Sequence, residues 1–129
     1  MEGGIVAMEG LLATNKIPTA VMCSNDMSAI GVLHKLYRAG LRVPDDFSVI
    51  GFDNIHIAEV TIPPLTTVEM SRLDLARAAV TALREQVELV GGLTKKSEFC
   101  IRTNLVLRES TSFPRKTKIR LNGNSVAKG

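Results

Sequence analysis

Cysteine is scarce in this chain of 129 residues: Cys23 and Cys100 are the whole complement. Two thiols are too few for a disulfide framework, and these lack the closely spaced partners that a metal site needs. Each lies in an apolar, strand-like run, so both are expected as buried, reduced thiols. No apolar run approaches the ~18 residues of a membrane helix. The first residues, MEGGIVAMEGLLATNK, carry acids where a secretory leader would carry bases, which points to a cytoplasmic protein without a membrane partner. Acids are also missing from residues 111–129, which hold Arg115, Lys116, Lys118, Arg120 and Lys128. The net charge of +3 therefore belongs to that end, because the preceding 110 residues carry eleven bases against thirteen acids. Such a body is not a polycation that would hold nucleic acid by charge alone. The end itself, basic and poor in apolar residues, reads as a disordered tail.

What is present suits one modest α/β domain, with 45% hydrophobic and 22% charged residues. Helical spacing of Ile5, Met8, Leu11 and Leu12 predicts a short helix over residues 3–15, closed off by Pro18. Residues 19–24 then form an apolar run without alternation, as expected of a strand covered on both faces. It ends on Ser24-Asn25-Asp26, residue types that accept hydrogen bonds from helix N-terminal amides. A helix follows, with Met27, Ile30, Leu33, Leu36 and Tyr37 on one stripe and Gly40 as its left-handed terminator. Val43-Pro44-Asp45-Asp46 is a turn, and residues 48–52 are the next strand, so the stretch is a βαβ unit with a parallel pair.

Residues 61–68 are extended, although Pro63 and Pro64 bar a central-strand position there. Ser71-Arg72-Leu73-Asp74 opens another helix in capping-box style, with Leu73, Ala76, Val80, Leu83, Val87 and Val90 on one face and Gly91-Gly92 as its end. Residues 99–107 read as a strand pair or one long strand. Two clear parallel strands and a late third make an incomplete sheet, since parallel sheets are usually larger and their edges covered. The pattern suits part of a larger assembly, or a chain that completes its sheet against another copy.

Ligands of open α/β sheets bind beyond the carboxyl ends of the strands. Here that edge carries Asn25-Asp26 after the first strand and Asp53-Asn54 after the second. Carboxylates and carboxamides in such a cluster can hydrogen-bond the hydroxyls or ring nitrogens of a small polar metabolite. Asp26 reads first as a helix cap, whereas binding and turn-making stand level for Asp53, which no long helical stripe follows. Enzyme signatures are missing. SNDMSAIG replaces the G-x-G-x-x-G of a dinucleotide fold, and no P-loop occurs. Ser24, His34 and His56 have no nucleophile elbow with them.

SNDMSAIG, GLRVPDD, SVIGFDN, PPLTTV and REST occur in order between Pro18 and Thr111. In that order and spacing they resemble the sensor domain of the lac-repressor (LacI/GalR) family of bacterial transcription regulators. The resemblance implies a periplasmic-binding-protein-like (type I) fold, in which a small effector such as a sugar or nucleobase lies between two Rossmann-like subdomains, and no cofactor. It implies effector contacts from Asn25 and Asp53, with Met70 or Arg72 near the pocket and Asp26 left as the cap. It further implies a homodimer contact through Ile30, Leu33, His34, Val60 and Thr61.

By the same resemblance, residues 1–66 correspond to part of the C-terminal subdomain. Residues 67–98 correspond to a crossover and a helix that packs on an N-terminal subdomain, residues 99–110 to a returning strand, and residues 111–129 to the tail. DNA would be reached only through a helix-turn-helix outside this sequence. Two other readings remain open: a freestanding small-molecule binding or dimerisation module, and an α/β enzyme using Asp53 and His56.

Overall fold

Eight elements follow one another in the computed structural model, which describes residues 1–14, 16–88 and 98–116. Helix α1 (Glu2–Leu12) leads into strand β1 (Ala20–Met22), helix α2 (Asp26–Arg38) and strand β2 (Ser48–Phe52). A 3-10 turn (His56–Glu59) precedes β3 (Thr66–Met70), α3 (Arg72–Glu88) and β4 (Thr103–Val106). The strands form one open sheet in the order β1-β2-β3-β4, parallel through the first three and antiparallel at the last. The expected βαβ unit is present, and β2 occupies residues 48–52 as the sequence predicts. The third strand is a central one, parallel to β2, and it starts two residues after Pro64. The prolines thus bar only their own positions, where no ladder hydrogen bond is required.

Helices α1 and α2 cover one face of the sheet. Phe47, Val49, Leu36, Ala29, Met8 and Leu65 form a core there, each at most 1% exposed. The two helices meet through small residues: a Cβ on Gly4 would overlap the Ser28 carbonyl oxygen, and one on Gly31 the Met1 carbonyl oxygen. Lys35 adds an ion pair to Glu9 at 2.8 Å. Gly40, at φ 72°, ends α2 in the left-handed conformation, and the Leu41 N–H donates back to Leu36 O at 3.0 Å, as in a Schellman cap.

The buried stripe of α2 is Ala29, Val32, Leu33 and Leu36. Met27 and Tyr37 are 44% and 81% exposed, so the stripe drawn through them is rotated away from the true core face. Alanine carries the contact at 29, where weight given to large apolar residues misses it. The same rotation corrects the expected dimer set. Leu33 is a core residue at 8% exposure and offers no free surface.

The other sheet face is only partly covered among the described residues, Ser48 and Thr66 on it being buried beside the segment after β4. Alternation from the register puts Met22, Ile50, Phe52, Val68, Met70 and Leu105 on it, with Met22 64% and Leu105 61% exposed. The expectation that both faces of β1 are covered fails for this reason. Helix α3 likewise leaves Leu73, Val80, Leu83 and Val87 between 59% and 76% exposed. The expected end of that helix at Gly91-Gly92 and its last stripe residue, Val90, lie outside the described residues. Cys23 is buried as expected, but Cys100 is exposed, because it precedes β4 instead of lying in a strand.

The segment after β4 closes the structure. Ser110 is fully buried between β2 and β3, below the point where those strands pair. Its hydroxyl donates to Val49 O at 2.6 Å and accepts the Thr66 N–H at 2.8 Å, while its carbonyl accepts the Val49 N–H at 2.9 Å. Backbone groups that the ladder leaves over are thus satisfied by one side chain and one carbonyl. Arg115 then forks onto Ile17 O, Pro18 O and Asp46 O at 2.7–3.0 Å, anchoring the start of the basic end beneath β1 and β2. Thr111, Ser112 and Arg115 of the expected tail are therefore tied to the folded body; residues 117–129 of it lie outside the described residues.

Candidate functional site

The parallel order of β1, β2 and β3 sets their carboxyl ends along one edge. Asn25, Asp53, Met70 and Arg72 stand there, after or at the ends of the three strands. Asn25 is the helix cap, since its Oδ1 accepts the Ser28 N–H at 2.8 Å. Capping had been expected of Asp26, which instead starts the helix and is fully buried. Asp26 Oδ1 accepts the Thr67 hydroxyl at 2.5 Å and Oδ2 accepts the Ile55 N–H at 2.8 Å. The carboxylate passes over Gly51, where any Cβ would overlap Oδ1. A glycine inside an apolar strand, as in SVIGF, is the sequence signal for such a close approach.

That buried carboxylate holds the exit of β2. Asp53 and Asn54 have φ values of 104° and 49°, both in the left-handed region that disfavours residues with a Cβ. Three successive N–H groups hold them there. Asp53 donates to Val68 O at 2.9 Å, Asn54 to Thr67 Oγ1 at 3.4 Å, and Ile55 to Asp26 Oδ2. The Asp53 side chain is exposed at this edge. Backbone strain held in place by neighbours, beneath an exposed carboxylate, is typical of sites that prearrange a polar group. Met70 is half-buried at the end of β3, and Arg72 is exposed at the first position of α3.

The residue that sequence reasoning left without a role is Arg108. Its side chain is 13% exposed and reaches three partners: Leu65 O at 2.8 Å, Asn54 Oδ1 at 2.8 Å and Glu59 Oε1 at 3.2 Å. Its backbone N–H donates to Thr66 Oγ1 at 3.0 Å. A bare REST motif gave only the sequence position of this arginine.

Cys23 lies under the same edge, where burial and then the Asp26 carboxylate raise its thiol above the ordinary range. A cavity of about 380 Å³ runs between α1 and β1 past Cys23, and none of Asn25, Asp53, Met70 or Arg72 lines it. Among the described residues no group of His, Cys, Asp and Glu could hold a metal ion. No helix among them is long and apolar enough to cross a membrane. His34 and Val60 of the expected dimer contact are exposed. Ile30 and Thr61 are half-buried, and the Thr61 hydroxyl lies 2.8 Å from Pro63 O.

The family model of the periplasmic binding protein-like domain matches residues 2–111. The chain belongs to that family. This periplasmic binding protein-like domain is 41% identical over 110 residues to the HTH-type transcriptional repressor PurR of Haemophilus influenzae, covering 84% of this chain and 33% of that protein. It spans between a quarter and a third of the length of these curated relatives. Among solved structures, a LacI-type transcription regulator from Bifidobacterium animalis subsp. lactis is similar with TM-score 0.72 and 38% identity. That match covers 85% of this chain and 39% of the other. A LacI family regulator from Lactobacillus casei with bound glucose is similar with TM-score 0.65 and 28% identity, covering 85% and 40%. The resemblance to lac-repressor-family sensor domains drawn from SNDMSAIG through REST is borne out by these matches, as is the periplasmic-binding-protein-like α/β class. The relatives are transcription regulators, not enzymes.

Proposed function

We propose that this domain supplies one wall of the effector cleft of a LacI-type transcription regulator, with Asp53 and Asn25 as its polar contacts and Met70 and Arg72 at its rim. The observation that carries the reading is the exposed Asp53 carboxylate, held on a left-handed backbone at the carboxyl edge of three parallel strands. A carboxylate accepts hydrogen bonds only, so it suits ligands that present hydroxyl or N–H donors. Sugars and nucleobases both fit, and the glucose bound to the Lactobacillus casei relative supports the former. The Asn25 carboxamide retains its NH2 donors for a ligand while its oxygen caps α2.

Signal transfer would run through a homodimer contact made by Ile30, His34, Val60 and Thr61, on the face of α2 away from the core and the loop after the 3-10 turn. DNA would be engaged by a helix-turn-helix elsewhere in the regulator, in the cytoplasm. Ligand binding that differs between two arrangements of the dimer is what would couple the sites.

Calorimetric titration of the chain with D-glucose, D-ribose, cellobiose and hypoxanthine tests the binding. The expected result is weak heat with at least one of them and none with Asp53→Ala. Silence across the panel, or equal binding by Asp53→Ala, would overturn the assignment.

A further inference from the structure

Arg108 occupies a position between two surfaces that the proposed function needs, and nothing in its own motif announces this. One of its terminal nitrogens, Nη2, donates both to Asn54 Oδ1 at 2.8 Å and to Glu59 Oε1 at 3.2 Å. Asn54 follows Asp53 in the left-handed turn, and Glu59 ends the 3-10 turn immediately before Val60. The other nitrogen, Nη1, is fixed on Leu65 O, and the backbone at 108 is fixed on Thr66 Oγ1. The guanidinium is therefore anchored to Leu65, the residue before β3, and extends one planar fork across to the exits of β2 and of the 3-10 turn. A lysine could not replace it, because a single ammonium lacks the rigid fork that spans three acceptors.

We propose that Arg108 is the positioning residue of the carboxyl edge: through the Asn54 carboxamide it holds the turn that carries Asp53, and through Glu59 it ties that turn to the segment bearing Val60. Asn54 at φ 49° lies close to the left-handed well that Asn and Asp visit more readily than most residues, but φ 104° takes Asp53 well outside it. Three backbone N–H bonds hold the turn from the side of α2 and β3; Arg108 is the side chain that holds it from the side of the 3-10 turn. Since both acceptors share one nitrogen, a movement of Glu59 changes the geometry offered to Asn54. A displacement at Val60 would thus reach the Asp53 carboxylate through three side chains, those of Glu59, Arg108 and Asn54.

This inference rests on the effector reading for its purpose but not for its test, which needs no ligand. Amide hydrogen exchange of the chain, read residue by residue, follows the N–H groups of Asp53, Asn54 and Ile55 against those of Ala29 and Leu33 in α2. In Arg108→Met, exchange at residues 53–55 is expected to rise by about tenfold or more while the α2 amides stay protected. Arg108→Lys should fail to restore the turn. Asn54→Ala removes the carboxamide arm, and Asn54→Gly does so without straining the backbone at φ 49°; both should raise exchange at Asp53 and Ile55 even if Arg108→Met does not fold.

The link between the two surfaces is tested by Glu59→Ala, for which exchange at Asn54 and Ile55 should rise as well as in the 3-10 turn. Unchanged exchange at 53–55 in Asn54→Ala would overturn the positioning role. A Glu59→Ala effect confined to residues 56–60 would overturn the link. Either failure leaves the ligand titrations standing, and their failure leaves these exchange rates standing.

Discussion

Asp53 and Gly51 illustrate how two neighbouring residues of one strand exit can serve opposite ends. Asp53 keeps a Cβ at φ 104°, where glycine would sit without strain. Asp53→Gly is therefore expected to leave the chain as stable or more stable, by up to about 1 kcal/mol in urea unfolding, while abolishing ligand heat. Gly51 has no such freedom to exchange, because a methyl group there would displace the Asp26 carboxylate. Gly51→Ala should cost roughly 1–3 kcal/mol by the same measurement.

The thiols give an independent check on burial. Ellman's reagent should modify Cys100 promptly and Cys23 only on unfolding, because Cys23 is buried and its pKa is raised. Much at this scale was legible in the sequence, namely that Asn25 and Asp53 stand at the strand ends. The exchange of roles between Asn25 and Asp26 was not. Both residue types cap helices equally well, and only the position of Thr67, forty-one residues later, decides which of them is drawn inward.

At the scale of elements, β2, the end of α2 and the capped start of α3 follow from local chemistry. The strand is an uninterrupted apolar run, Gly40 ends α2, and the Ser71 hydroxyl accepts the Asp74 N–H at 3.2 Å. The core face of α2 departs from the apolar stripe because it includes Ala29 and because α2 meets α1 at Ser28 and Gly31, small residues that carry little weight in a hydrophobic stripe. The turn after α2 shows a charge arrangement with a pH signature. The Asp46 carboxylate accepts the Arg42 N–H at 2.9 Å and faces its guanidinium at 3.2 Å. Those hydrogen bonds, backbone first, lower its pKa below the ordinary carboxylate value.

A lowered folded-state pKa contributes stability that is complete above the unfolded value and is lost as the pH falls through the folded one. Asp46→Asn should therefore flatten the acid limb of the stability profile below about pH 4. If the limb keeps its slope, Asp46 does not contribute to it.

Among the described residues the molecule is a sheet with one face covered by helices, a second apolar face left partly uncovered, and an exposed apolar stripe on α3. This could be foreseen only in part: the shortage of strands was countable in the sequence, but which face lacks its cover depends on register. The segment from Arg108 to Arg115 carries the longest-range bonds, joining residues as distant in sequence as Ile17 and Arg115. Ser110→Ala removes the acceptor of the buried Thr66 N–H and should cost about 1–3 kcal/mol in denaturant unfolding.

The central claim, that a small polar effector is met by the carboxyl edge of β1, β2 and β3, is tested most directly by mapping where a ligand touches. Nuclear magnetic resonance of the isotope-labelled chain, titrated with D-ribose and D-glucose at tens of millimolar, reads weak contacts residue by residue. The account predicts shifts confined to the amides of Asn25, Asp53, Asn54 and residues 70–72, absent in Asp53→Ala. Shifts at the cavity between α1 and β1 instead, or the same shifts persisting in Asp53→Ala, would contradict it.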